Sequence, residues 1–135
     1  MRKRTLAREL ALQFLYMLDL RQGEGTELFE EFVQEATKSK EVADYARRLV
    51  EGVRAELPEL DRRISEVAKN WQLGRMAVVD RNVLRLGAYE ILRCEDIPPK
   101  VAINEAIDLG KKYSTEHSGA FINGILDKIR AEARA

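Results

Sequence analysis

The sequence predicts an all-α fold of about seven helices, and three observations carry that prediction. Apolar residues recur at three- and four-residue spacing in nearly every segment, and no stretch alternates apolar with polar long enough for a strand. The breaks between periodic segments fall at glycines, prolines and Ser/Thr steps. From Thr5 to about Leu20, Leu6, Leu10, Phe14 and Met17 share one stripe with Ala7, Ala11 and Leu18 beside it, which describes an amphipathic first helix. Arg21-Gln22-Gly23-Glu24-Gly25-Thr26 reads as a loop whose threonine caps a short second helix with Leu28, Phe29, Phe32 and Val33 turned inward. After a break at Thr37-Lys38-Ser39-Lys40, Val42, Ala46, Leu49, Val53 and Leu57 define a third helix. Pro58, tolerated only in a first turn, opens a fourth, whose buried face is assigned to Leu60, Ile64, Val67 and Trp71.

The segment from Arg75 to about Cys94 is the most apolar, with Met76, Val79, Val83, Leu84, Leu86 and Ile91 around most of its axis. It is expected to be central, with Arg81, Asn82 and Arg85 as one polar stripe reaching solvent or a partner. Pro98-Pro99 ends that run, and a sixth helix starts near Lys100 with Ile103, Ala106, Ile107 and Gly110 on one side. Tyr113-Ser114-Thr115 closes it, and a last helix from about Glu116 buries Ile122, Ile125, Leu126 and Ile129. A chain of 135 residues without a long Pro/Gly/Ser linker or an internal repeat is one compact domain, or two small lobes sharing a core.

Composition excludes several functions. No stretch approaches the roughly 18 apolar residues of a membrane span, and the start lacks the apolar core of an export signal, so a soluble, cytoplasmic protein is expected. Cys94 is the single cysteine and His117 the single histidine. That leaves no disulfide, no zinc cluster of the usual type and no Cys/His catalytic set. Gly110-Lys111-Lys112 lacks the upstream glycine of a phosphate loop, and His117 at a helix start reads as a surface or capping residue. No catalytic residue, metal or cofactor is expected. The 23 basic side chains match the 23 acidic ones, yet the balance is global rather than local. Arg2, Lys3, Arg4 and Arg8 crowd the start, whereas Glu24, Glu27, Glu30, Glu31 and Glu35 form a stretch without a base. Screening beyond about 8 Å lets a polyanion at the first helix feel mainly the cations.

Arg4 and Arg8 are one helical turn apart and project from one side, an arrangement that can track phosphates. Tyr16 lies off the apolar stripe, on the side of Thr5 and Glu9, where it can stack on a base, fill a partner's pocket or cover a neighbouring helix. Phe121 sits at the edge of the last helix's apolar face, either as core edge or as a ring for an unpaired base.

Three stretches carry a resemblance over the whole chain. They are Arg4-Thr5-Leu6-Ala7-Arg8-Glu9-Leu10-Ala11-Leu12-Gln13-Phe14-Leu15-Tyr16, then Val79-Asp80-Arg81-Asn82-Val83-Leu84-Arg85-Leu86-Gly87-Ala88-Tyr89-Glu90-Ile91, and finally Ile97-Pro98-Pro99-Lys100-Val101-Ala102-Ile103-Asn104-Glu105-Ala106-Ile107-Asp108-Leu109 with Phe121-Ile122-Asn123-Gly124-Ile125-Leu126-Asp127-Lys128. Together they resemble the NusB family of bacterial transcription antitermination factors. The last pair is the most specific, and residues 21 to 70 match mainly in helical pattern.

The resemblance implies a single helical domain over 1–135 made of two packed three-helix lobes, about 1–74 and about 75–135. It implies binding of the single-stranded boxA element of nascent ribosomal RNA leaders together with the ribosomal protein also called NusE, and loading onto RNA polymerase with other Nus factors. Lys3, Arg4, Arg8 and Phe121 are then candidates for RNA, Tyr16 for RNA or its neighbourhood, and Asp80 and Arg81 for the ribosomal-protein surface. About four phosphate contacts to a single strand predict a log–log salt slope near three. Two alternatives stay open. One is a detached relative of the accessory domain of ribosomal RNA cytosine methyltransferases, although these residues hold neither a methyl-donor unit nor a catalytic cysteine motif. The other is a helical homodimer that hides its basic face.

Overall fold

Two helices form the centre, α1 (Lys3–Leu20) and α5 (Val78–Arg93), and the chain wraps its other elements around them. The structure is a computed structural model that describes residues 2–134, Arg134 by its backbone alone. Within them lie α2 (Phe29–Ala36), α3 (Lys40–Ala55), α4 (Leu57–Val67), α6 (Pro99–Tyr113) and α7 (Ser118–Arg134), with short 3₁₀ turns at Thr26–Leu28 and Leu73–Arg75. The described residues form no strand, and the expected all-α class with seven α-helices holds. No described helix is long and apolar enough to cross a membrane.

α1 is more deeply buried than one apolar stripe requires, since every residue from Ala7 to Leu12 is covered. α3 and α2 pack on one side of it and α5 on another. Phe14, 1% exposed, meets the ring of Phe29 edge-on at 5.1 Å and that of Phe32 at 5.4 Å. α5 is sandwiched in turn by α1, α4, α6 and α7. The close approaches need glycine. A side chain at Gly52 of α3 would enter the Tyr89 ring on α5, and one at Gly87 of α5 would come within 2.5 Å of Leu126 on α7.

Local chemistry explains the boundaries. α1 ends in a Schellman turn in which the Gly23 amide donates to Leu18 O at 2.8 Å and the Gln22 amide to Asp19 O at 3.1 Å. The left-handed position falls on Gln22, φ 56°, rather than on a glycine. Ser39 caps α3 by accepting from the Val42 amide at 3.2 Å. Pro58 and Pro99 stand in the first turns of α4 and α6, where no amide donor is missed.

Four expectations are corrected. Trp71 is not on α4, which ends at Val67; Ala68 turns away with ψ 55°, and Trp71 is left 59% exposed. Leu28 stands in a 3₁₀ turn and is 38% exposed rather than inward. Thr26 makes no cap, because Gly25 occupies that position. Arg81, Asn82 and Arg85 do not form an outward stripe but face α1 and α4, whose Asp19 and Asp61 receive them.

Candidate nucleic-acid interface

At the first end of the bundle, Arg2, Lys3 and Arg4 are exposed where α1 begins. The Lys3 ammonium lies 3.8 Å from Glu41, with both side chains mostly in solvent, a pairing that constrains it little. The Arg4 guanidinium stacks on the Tyr45 ring at 4.4 Å and reaches Asp96 at 3.4 Å. Asp96 is held mainly by Arg48, which donates to both its oxygens at 3.0 and 2.7 Å. Those bonds hold the Asp96 carboxyl well below the usual carboxylate range, with Arg4 adding to the effect. Arg4 and Arg48 thus share one carboxylate and one ring.

One turn further on, Arg8 corrects the expectation of a basic cluster that tracks phosphates. It is 4% exposed and faces inward. Its Nε donates to Glu90 at 2.9 and 3.0 Å, its Nη2 lies 2.9 Å from the same carboxylate, and its Nη1 donates to Glu105 at 2.7 Å. Tyr45 donates its hydroxyl to Glu90, and Thr5 donates to Glu105 at 2.5 Å. Burial alone would lower the Arg8 guanidinium, but the Glu90 hydrogen bond and charge outweigh it and the net shift is upward. A cation held this way is a structural tie between α1, α5 and α6, not a phosphate contact.

The Asp19 carboxylate, near the end of α1, accepts from Arg81 at 2.7 and 2.8 Å, from Asn82 at 2.9 Å and from Arg85 at 3.0 Å. Arg85 also donates to both oxygens of Asp61, at 2.8 and 2.9 Å. Burial works to raise Asp19, yet the Arg81 and Asn82 bonds and the two arginine charges leave it lowered. The Arg81 side chain is only 16% exposed, so most of it is withdrawn from any partner.

The opposite end of α5 is aromatic. Phe121, in the first turn of α7, is half-buried, and Trp71 meets it edge-to-face with ring centroids 5.3 Å apart. An open groove of about 350 Å³ runs beside them, lined by Arg75, Met76, Asp80, His117 and others. One oxygen of Asp80, Oδ1, is buried there without a partner. His117 is exposed, as a surface residue should be. Tyr16 is 39% exposed one turn before Asp19. Thr5 and Glu9, on its side of α1, are held by α6 through Glu105 and Lys112. Apart from Tyr16, the exposed candidates form two groups, Lys3 with Arg4 and Phe121 with Asp80, separated by the length of α5, roughly 24 Å. Arg48 and Trp71 belong beside them, although the sequence did not single out Arg48 and its periodicity assigned Trp71 to the core. Among the described residues no cluster of metal-binding side chains forms, and burial pushes the Cys94 thiol up to about 11, which makes it a poor nucleophile.

A family model described as the NusB family matches residues 5–131. The chain belongs to the NusB family. A transcription antitermination protein NusB of Anaeromyxobacter sp. (strain Fw109-5) is 52% identical over 134 residues, covering 96% of this chain and 90% of the relative. Among solved structures, NusB of T. maritima superposes with a TM-score of 0.84 at 38% identity, covering 98% of this chain and 92% of that one. A structure of antitermination factors NusB and NusE in complex with double-stranded RNA gives a TM-score of 0.87 at 37% identity, with 98% of each chain covered. Within this fold Lys3, Arg4 and Tyr16 are exposed and Phe121 is half-buried.

Proposed function

We propose that this protein is a non-catalytic transcription antitermination factor of the cytoplasm. It binds the boxA element of nascent ribosomal RNA leaders together with NusE and, with other Nus factors, keeps RNA polymerase processive. The observation that carries the reading is 52% identity to a transcription antitermination protein over nearly the full length of both chains. The related NusB solved with NusE and RNA adds the class of partners.

In this reading Lys3 and Arg4 meet phosphates, while Phe121 and Tyr16 offer rings to unpaired bases. Asp80, and the exposed edge of Arg81, contribute to the surface that receives NusE. With Arg8 withdrawn into the core, about three basic residues (Arg2, Lys3, Arg4) remain at this end. The expected salt slope on a single strand falls to about two. Binding by this protein alone is correspondingly weak, and NusE supplies the rest.

The test is a titration of a labelled boxA single strand, and of a duplex of the same sequence, at two salt concentrations with and without NusE. The single strand is expected to bind more tightly with NusE present, with the shallow slope given above. No binding to either RNA under any of these conditions sinks the reading.

A further inference from the structure

Trp71 is the largest side chain of the protein and stands 59% exposed beside Phe121. The two rings form a ridge, because both line the groove of about 350 Å³ on one side and a second, of about 520 Å³, on the other. The second groove runs between the end of α4 and α7 and is lined by Lys69, Lys128, Glu66, Glu132 and Gly124. Its cations and carboxylates balance, and the first groove is lined by one cation, Arg75, and one carboxylate, Asp80. Charge alone gives neither groove a strong pull on phosphate. What distinguishes the place is exposed aromatic surface, which suits the flat faces of bases.

Glycine usage supplies an independent observation. Of the eight glycines in the chain, Gly74 and Gly124 are the two at which an added side chain would meet no atom within 4 Å. Packing does not require glycine at either. Gly124 lies within α7, where glycine weakens the helix relative to alanine. Gly74 stands in the turn next to Arg75, and Gly124 lines the second groove, so the missing side chain at Gly124 leaves that groove open beside the ridge.

We propose that Trp71 is a second RNA-stacking ring, and that the Trp71–Phe121 ridge seats two successive unpaired bases, one in each groove. The proposal rests on the RNA-binding reading above and extends it from one ring to two. The edge-to-face packing leaves each ring part of its own face, and Lys69 and Lys128 stand where the backbone would leave the second groove.

The experiment measures the affinity of a labelled boxA single strand for the complex with NusE, using Trp71→Ala, Trp71→Phe and Gly124→Leu. Trp71→Ala is expected to weaken binding roughly five- to hundredfold, and Trp71→Phe to restore most of it. Gly124→Leu fills the second groove from a helical position and should weaken binding with the thermal midpoint kept or raised, which covers the case in which Trp71→Ala fails to fold. Trp71 is the only tryptophan of the chain, so its emission is a direct readout. The same complex made with Trp71→Phe supplies the background. RNA should quench the Trp71 signal in proportion to the fraction bound. Wild-type affinity in Trp71→Ala and Gly124→Leu, or RNA bound with Trp71 emission unchanged, overturns the second ring and leaves the RNA reading standing. Quenching by NusE alone, with no further change on adding RNA, also overturns it and makes the ridge a protein contact. Absence of RNA binding by the wild-type complex removes both readings together.

Discussion

The two ends of α5 solve opposite problems. At the end near Arg4 the protein brings charges together and neutralises most of them internally, Arg8 with Glu90 and Glu105 and Arg48 with Asp96, while Arg4 stays at the surface over Tyr45. At the other end it leaves the Trp71 ring exposed against a half-buried Phe121, with Gly74 and Gly124 bare at the surface. The contrast teaches that a basic sequence cluster is a poor measure of available positive charge, since a buried arginine must be paired. An aromatic that the core does not use remains available to a ligand.

The sharpest way to break the comparison is Arg8→Ala. If Arg8 is a tie within the core, the change strands Glu90 and Glu105 and costs about 3–5 kcal/mol, read from a shift in the denaturant midpoint at constant slope. Unchanged stability with lost RNA binding would return Arg8 to the interface.

Next comes Asp19→Asn, expected to cost about 1–3 kcal/mol because Arg81 and Arg85 lose charged acceptors. The same residue sets a pH dependence. Its folded value is depressed, so as pH falls the unfolded chain takes up the proton first, and the stabilisation is lost through and below the usual carboxylate range near 4. Thermal melts from pH 7 down to 3 should show a smaller acid loss in the variant; equal losses would mean that Asp19 is not a main contributor.

Arg4→Ala should change stability by less than about 1 kcal/mol while lowering the salt slope of RNA binding by about 0.7. An unchanged slope would remove Arg4 from the interface. The smallest effect is expected from Asp96→Asn. By releasing Arg4 and Arg48 from their shared carboxylate it should tighten RNA binding by roughly two- to fivefold at low salt, and less at high salt. Weaker binding would show that Asp96 positions these arginines rather than competing for them.

The helical periodicity of the apolar residues was sufficient for the all-α class and for the approximate span of each helix, because burying one stripe per helix is a local requirement. Leu60 and Ile64 on α4 and Ile122 and Leu126 on α7 are buried as their spacing implies. The same logic failed for Trp71, where the i, i+4 pattern was continued one turn past the end of α4, and backbone geometry at Ala68 stopped it. It also failed for Arg81, Asn82 and Arg85. Polar residues on a helix read as a solvent face until another helix brings acids to them, and Asp19 is more than 60 residues away in sequence.

Composition and spacing by themselves determined that this chain folds as helices and bears the motifs of its family. Tertiary structure alone decided which cations remain free and which rings remain exposed. The reason is physical. Whether a charge is buried depends on the desolvation it suffers and the counter-charge it finds, and both are supplied by helices distant in the chain. Arg4 and Arg8 are identical in type and one turn apart, yet only Arg4 is left at the surface, because Glu90 and Glu105 reach Arg8 from α5 and α6.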